Sequence, residues 1–462
     1  MIQELATYAE VKDSGNEWLG RVPEHWNPAT LRTLLSPVSY RDRADLPLLS
    51  VVREQGVILR DTTEESTNHN QIPNDLSSYK VVAPGQFALN KMKAWQGSFG
   101  VSPYAGIVSP AYFVFDIDAV DSGFFHTAIR SRAYVPFFAG ASDGVRIGQW
   151  DLRPDRMKEI PFIVPPRREQ AAIVRFLDHA DSRIRRAIRA KHQLIKLLEE
   201  QKQAIVHRAV TRGLDFNVRL KPSGVEWLGD VPAHWELVPN RAVMRLRKQV
   251  VGSASTTYTL LSLTKRGVIP RDLDNPEGKF PASFDTYQVV QPGDLIFCLF
   301  DIDETPRAVG LAESPGMITG AYTRFECDPS VVDWAYLYYQ AMDDGKRLRP
   351  LYTGLRKVIT KTAFLSARMP LPAESERAEI LASVARELSA SAELAQRAQA
   401  EVDLLAEYRA RLIADVVTGK VDVREAASLL PDDLPAADAQ EFFSASELLN
   451  DANLTDVEDS LV

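Results

Sequence analysis

The chain carries the same fourteen-residue phrase twice. Residues 13–26 read DSGNEWLGRVPEHW and residues 222–235 read PSGVEWLGDVPAHW, identical at ten positions and offset by 209 residues. The echo continues beyond the phrase. Gly56-Val57-Ile58-Leu59-Arg60-Asp61 returns as Gly267-Val268-Ile269-Pro270-Arg271-Asp272. Tyr79, Val81, Val82, Pro84 and Gly85 return as Tyr287, Val289, Val290, Pro292 and Gly293, and Gly144-Val145-Arg146 returns as Gly354-Leu355-Arg356. A period near 210 residues far exceeds the 20–50 or so of solenoid and propeller units. It has the length of a domain, so the repeat predicts two similar globular parts in one chain.

Each copy closes on a long stretch that reads as helix. After Pro166 no Gly or Pro interrupts the chain until Gly213. Leu177, Ile184, Ile188, Ile195, Leu198 and Ile205 fall on a heptad seam, with Lys191 and Lys202 filling two of its slots. Such a helix spans roughly 65 Å. The second stretch, about residues 374–418, shows Val384, Leu388, Ala395, Ala398, Val402, Leu405, Leu412 and Val416 at similar spacing. Residues 167–212 hold twelve Lys/Arg against five Asp/Glu, whereas residues 374–420 hold six against nine. Opposite charge and equal length suit pairing of the two helices with each other.

The globular parts read as mixed α and β. Residues 110–115 and 294–300 are β-branched or aromatic runs between turn residues and predict strands; residues 124–131 and 333–342 predict short helices. In the repeated phrase, Gly and Pro shape a turn and the Trp side chains supply apolar area, so it reads as structural rather than as a binding surface. His25 and His234 have no Cys, His or carboxylate at ligand spacing.

Composition narrows the class. The 462 residues are 45% hydrophobic and 25% charged, as in ordinary soluble proteins. No apolar run has the length to span a bilayer, and residues 1–15 lack a signal-peptide core. The two cysteines, Cys298 and Cys327, sit in no metal-ligand spacing, which fits a reducing cytoplasm. Net charge is −8, but residues 422–462 hold eleven Asp/Glu and one Arg, so this tail carries −10 and leaves +2 on residues 1–421. Its composition reads as poorly ordered.

No phosphate-binding loop, dinucleotide fingerprint, zinc-protease motif or amino-methylation motif occurs, so no catalytic residue is assigned. Basic and amide side chains do cluster. Lys91, Lys93, Trp95 and Gln96 sit together in the first copy; the second is basic at Lys265, Arg266, Arg271, Arg356 and Lys357. Such residues can neutralise phosphates or read base edges. Two related scaffolds with divergent loops suit reading two different things.

The SGxEWLGxVPxHW phrases, residues 90–97 (NKMKAWQG), residues 106–112 (GIVSPAY) and the run from Ile160-Pro161 through Pro165-Pro166 to Glu169-Gln170 and Ile173 resemble the specificity subunit of type I restriction–modification enzymes. The resemblance covers roughly residues 10–425. The second copy departs from it: Leu371-Pro372 leads to Glu376-Arg377 where the family has Glu-Gln, and the Asn-Lys-Met-Lys segment is missing.

The resemblance implies an α+β fold with two target recognition domains separated by two long helices, paired as an antiparallel coiled coil about a pseudo-twofold axis. It divides the chain into a first recognition domain (1–165), a first long helix (166–212), a second recognition domain (213–371), a second long helix (372–420) and an acidic tail (421–462). Each domain is expected to read half of an asymmetric bipartite site on double-stranded DNA, with Lys91, Lys93, Trp95, Gln96 and Arg146 at work in the first and Arg266, Arg271, Arg356 and Lys357 in the second. Two methylation subunits using S-adenosylmethionine and two restriction subunits using ATP with Mg are the implied partners, in the cytoplasm. This chain itself is expected to hold no cofactor or metal and do no chemistry. The rival reading is a coiled-coil scaffold with two partner-binding heads and no nucleic acid.

Overall fold

The structure, a computed structural model, describes residues 5–60, 72–73, 75–144, 150–271, 283–302, 305, 307–354 and 357–431. The described residues fall into two units. The first contains those up to Lys191 together with those from Ala400 onward; the second contains His192–Gln399.

Each unit is built on a four-stranded antiparallel sheet. In the first the order is Leu35–Val38, Tyr112–Ile117, Phe87–Asn90, Phe99–Val101. In the second it is Met244–Leu246, Thr323–Cys327, Asp294–Phe297, Val309–Leu311. Two-stranded pairs recur around both sheets. Leu49–Val52 with Gly56–Leu59 has its counterpart in Leu261–Thr264 with Gly267–Pro270. Asn27–Thr30 with Pro161–Val164 has its counterpart in Glu236–Pro239 with Arg368–Leu371. The pair Ser142–Asp143 with Asp151–Leu152 occurs in the first unit.

One face of each sheet buries an aromatic core. In the first unit Phe87, Phe99, Phe124, Phe125, Phe138 and Phe162 pack together; in the second, Phe297, Phe325, Tyr339 and Phe364 do. Strand limits differ from the sequence expectation where backbone bonds turn the chain. Tyr112 N–H donates to Ser109 O at 3.0 Å, so residues 109–112 form a turn and the strand starts at Tyr112 rather than residue 110. In the second unit the strand from Asp294 ends at Phe297 rather than residue 300. The expected short helices are Ser122–Ile129 and Val332–Asp344.

The two long helices are Arg167–Arg212 and Glu374–Val417. On their seams Ile184, Val384, Ala398, Val402 and Leu412 are buried, while Ile188, Ile195, Leu198, Ile205, Leu388 and Leu405 are half-buried. Within the first unit Asp181 accepts from Arg409, and Lys191 Nζ meets Glu401 at 2.6 Å. Ile173, Leu177, Leu412 and Val416 share its core. Within the second unit Val206 and Val210 share a core with Ile380 and Val384.

The repeated phrase fixes the start of each long helix. Trp26 Nε1 donates to Glu169 Oε1 at 3.0 Å and His25 Nε2 lies 2.8 Å from Glu169 Oε2; Tyr8 Oη also donates to this carboxylate. In the second unit Trp235 Nε1 donates to Glu376 Oε1 at 2.9 Å and His234 Nε2 lies 2.9 Å from Oε2. Glu169 and Glu376 are each the third residue of their helix, where unpaired N–H groups favour a carboxylate. The end of the other helix meets the same Trp. Gly419 (φ +73°) follows the second helix, and a Cβ there would lie 3.2 Å from Trp26 and 2.2 Å from Pro23; Gly213 (φ +71°) follows the first, and a Cβ there would lie 3.2 Å from Trp235. Left-handed backbone and close approach both demand glycine.

The second copy's departure at Arg377 is filled by equivalent bonding. Gln170, buried, donates from Nε2 to Pro165 O at 2.7 Å; Arg377, also buried, donates from Nη1 to Pro372 O at 2.8 Å. The chain's first described segment pairs with the end of the second helix's extension through a bridge between Ala6 and Asp422.

Candidate nucleic-acid interface

Residues 91–96 form a compact loop between two strands of the first sheet. Asn90, buried, holds it from below: Oδ1 accepts from Met92 N–H at 3.1 Å and Nδ2 donates to Tyr112 Oη at 3.2 Å. Ala94–Gln96 make a 3₁₀ turn that ends at Gly97 in left-handed backbone (φ +94°). Trp95 Nε1 donates to Met92 O at 3.2 Å, and its ring lies 5.3 Å from that of Trp150. Lys91 Nζ pairs with Asp151 at 2.8 Å, and Leu152 N–H donates to Lys91 O at 3.0 Å. The structure therefore gathers Lys91, Lys93, Trp95 and Gln96 against the pair Ser142–Asp143 and Asp151–Leu152. Lys93 is exposed and Gln96 half-buried. Arg146 and Arg356 lie outside the described residues.

Trp150 and Asp151 were not singled out from the sequence. They lie about 55 residues from Trp95, and only the fold joins them. A Trp four residues after the recurring Gly144-Val145-Arg146 segment was the available signal.

In the second unit the basic residues are spread out. Lys265 and Arg266 form the tip of a two-residue hairpin, closed by Thr264 paired with Gly267. Both are exposed, and Arg266 N–H donates to Thr264 Oγ1 at 3.1 Å. Arg271 sits at the other end of that hairpin, its N–H donating to Leu260 O at 2.9 Å. Four strand residues, about 13 Å, lie between them, so Arg266 and Arg271 do not form one cluster. Lys357, exposed and in left-handed backbone (φ 47°), belongs to a turn closed by Thr353 and Val358.

The equivalent hairpin of the first unit is held by a half-buried arginine. Arg130 Nη2 donates to Arg53 O at 2.9 Å and Glu54 O at 2.8 Å, and Nη1 donates to Phe99 O. Gly56 and Gly100 make room: Cβ atoms there would lie 3.1 Å from Arg130 Nη1 and 3.3 Å from His126 Cε1. Burial, then the Arg130 charge, holds His126 down at about 3, so its neutral ring accepts Val101 N–H at 3.1 Å. Burial lowers Arg130 itself to about 10. Nothing in the sequence marked these contacts, which join residues 77 positions apart.

A chain from a study titled "Structural basis underlying complex assembly and conformational transition of the type I R-M system" superposes with a TM-score of 0.63 at 15% identity, covering 87% of this chain and 99% of that one. Its fold is that of a type I restriction–modification chain. An HsdS subunit from Thermoanaerobacter tengcongensis matches with a TM-score of 0.46 at 18% identity, over 87% of this chain and 98% of that one. A type I restriction–modification S subunit from M. genitalium matches with a TM-score of 0.32 at 10% identity, over 85% and 96%. The likeness to type I restriction–modification proteins read from the sequence is thus also a likeness of fold to the first of these chains. No family model matches the sequence, and no curated protein matches it. Among the described residues, no helix is long and apolar enough to cross a membrane.

Proposed function

We propose that this chain is the DNA-recognition subunit of a type I restriction–modification assembly. The observation that carries the reading is the fold shared over 87% of the chain, at 99% of the matched chain's length. Two heads with the same strand pairings carry different residues at their loops. One presents a Trp–Trp pair with two lysines; the other presents a Lys265–Arg266 hairpin tip. Each head then reads its own half of an asymmetric site, and Lys and Arg supply phosphate or base contacts.

The long helices run antiparallel, relate the two copies by a pseudo-twofold axis and set the gap between half-sites. Support comes from each unit taken alone. Rising positions on the first helix meet falling positions on the second: Asp181 with Arg409, then Lys191 with Glu401, and beyond them the core shared by Val206, Val210, Ile380 and Val384. Two methylation subunits dock on this frame and two restriction subunits complete the cytoplasmic complex. S-adenosylmethionine and ATP with Mg belong to those partners, and this chain does no chemistry.

Mapping methylated adenines in host DNA with and without the chain tests the reading. Adenine methylation should appear only when the chain and its methylation subunits are together. Turnover by the isolated, contaminant-free chain would overturn it. A scaffold without nucleic-acid readout would show no salt-dependent binding to duplex DNA.

A further inference from the structure

Arg130 ties two loops of the first head into one surface. It caps the C-terminal end of the helix Ser122–Ile129, and its guanidinium reaches three backbone carbonyls. Nη2 donates to Arg53 O and Glu54 O in the turn between Leu49–Val52 and Gly56–Leu59. Nη1 donates to Phe99 O, in the first strand residue after the loop of residues 91–96. Burial lowers its pKa to about 10, so the fork stays charged at neutral pH. The backbones meet at two glycines: a Cβ on Gly100 would lie 3.2 Å from Gly56 Cα. One planar group spanning both carbonyl sets leaves turn and loop side by side.

The turn carries polar side chains outward. The Arg53 side chain is 69% exposed, and Gln55 is half-buried. Neither is among the contact residues expected from the sequence. Arg53 Nε lies 3.6 Å from Glu54 Oε1, an exposed pair of adjacent residues that contributes little. Arg53, Glu54 and Arg130 together sum to +1. Arginine and glutamine can each make paired contacts with a base edge, and arginine also holds phosphate. The second head has a basic turn at the same place. There Val268 bridges Ala312 in parallel, so the turn of Lys265 and Arg266 and the chain entering Val309 lie at one end of their strands.

We propose that the turn of residues 53–55 is a further DNA-contact element of the first head, with Arg53 at the duplex and Arg130 as the residue that positions it against the loop of residues 91–96. This rests on the DNA reading of the chain.

Duplex binding by the full chain tests both parts, across a panel of altered half-sites and a series of salt concentrations. Arg53→Ala should weaken binding in one of two ways. Loss of a phosphate contact lowers the slope of log affinity against log salt by about 0.9. Loss of a base contact relaxes preference at one position by about five- to 150-fold. Affinity, slope and preference equal to those of the unaltered chain overturn the contact. Preference relaxed in the half-site that Arg266→Ala alters overturns it too. For Arg130, lysine keeps the charge but loses the fork. In an Arg130→Lys chain, Arg53→Ala should change slope and preference no further. A role in stability alone would leave the Arg53→Ala effect at full size, and that result overturns the positioning. A glycine inserted between Val52 and Arg53 repeats the comparison with Arg130 intact and the same expectation, which decides the matter if Arg130→Lys does not fold. If the unaltered chain binds no duplex, the DNA reading falls and takes this proposal with it. If it binds and Arg53→Ala binds equally well, the proposal alone falls.

Discussion

His25 and Glu169, 144 residues apart in the chain, meet at 2.8 Å, and His234 and Glu376 repeat the contact at 2.9 Å. The phrase that recurs in the sequence is a helix clamp. Its Trp N–H and His ring both address the carboxylate at the third position of a long helix.

The clamp predicts unequal costs. Glu169 is buried, so Glu169→Ala strands the Trp26 N–H and Tyr8 hydroxyl and should destabilise the first unit by about 2–4 kcal/mol. His25 is 42% exposed, and His25→Ala should cost under about 1 kcal/mol. Urea unfolding of both variants checks this; equal losses would mean that the carboxylate does not organise the clamp.

Acid should loosen the first unit through His126. Its folded pKa of about 3 lies below the ordinary 6.5, so its contribution is fully present above pH 6.5 and disappears as pH falls towards 3. At about 1.4 kcal/mol per unit, the loss amounts to at most about 4–5 kcal/mol. His126→Gln, which can still accept Val101 N–H, should flatten the stability profile between pH 6.5 and 3. An unaltered profile would place the acid sensitivity elsewhere.

Much of this molecule could be read from its sequence, for identifiable reasons. Long helices announce themselves through uninterrupted heptads, and a duplicated domain through identical residues. The Lys91–Gln96 loop was visible because its cluster is local. Trp150, Arg130 and the partners of His25 were not, because each contact joins residues distant in sequence. Arg266 and Arg271 are five residues apart in the sequence, yet a hairpin places them at opposite ends. Period and composition report local order; they carry no register between strands.

In the first head, Lys93→Ala should lower the salt slope of duplex binding by about 0.9 if it meets a phosphate. Trp95→Ala should relax preference in one half-site by about 1–3 kcal/mol if the Trp95–Trp150 pair meets a base. Arg266→Ala should affect the other half-site alone. Binding to a panel of half-site variants distinguishes these, and one substitution altering both halves would count against separate heads.

Seven residues inserted beside Lys191 preserve heptad phase and add at most about 10 Å of helix. At about 3.4 Å per base pair, the preferred gap between half-sites should grow by up to roughly three base pairs. Four inserted residues rotate the seam and should damage assembly. A folded, active seven-residue insertion that keeps the original gap would show that the helices do not set it.

The division of the chain has a consequence for biosynthesis. Among the described residues the second unit is one unbroken stretch, His192–Gln399, whereas the first needs residues from both sides of it. Leu412, Val416, Val417 and Val423 belong to the first unit's core, and Asp422 pairs with Ala6. A ribosome that has joined four hundred residues has made every described residue of the second unit, while the first still exposes the apolar face those four residues cover. The part translated earliest is therefore completed last. A message broken before Leu412 should yield one sound head and one that chaperones and proteases recognise as unfinished.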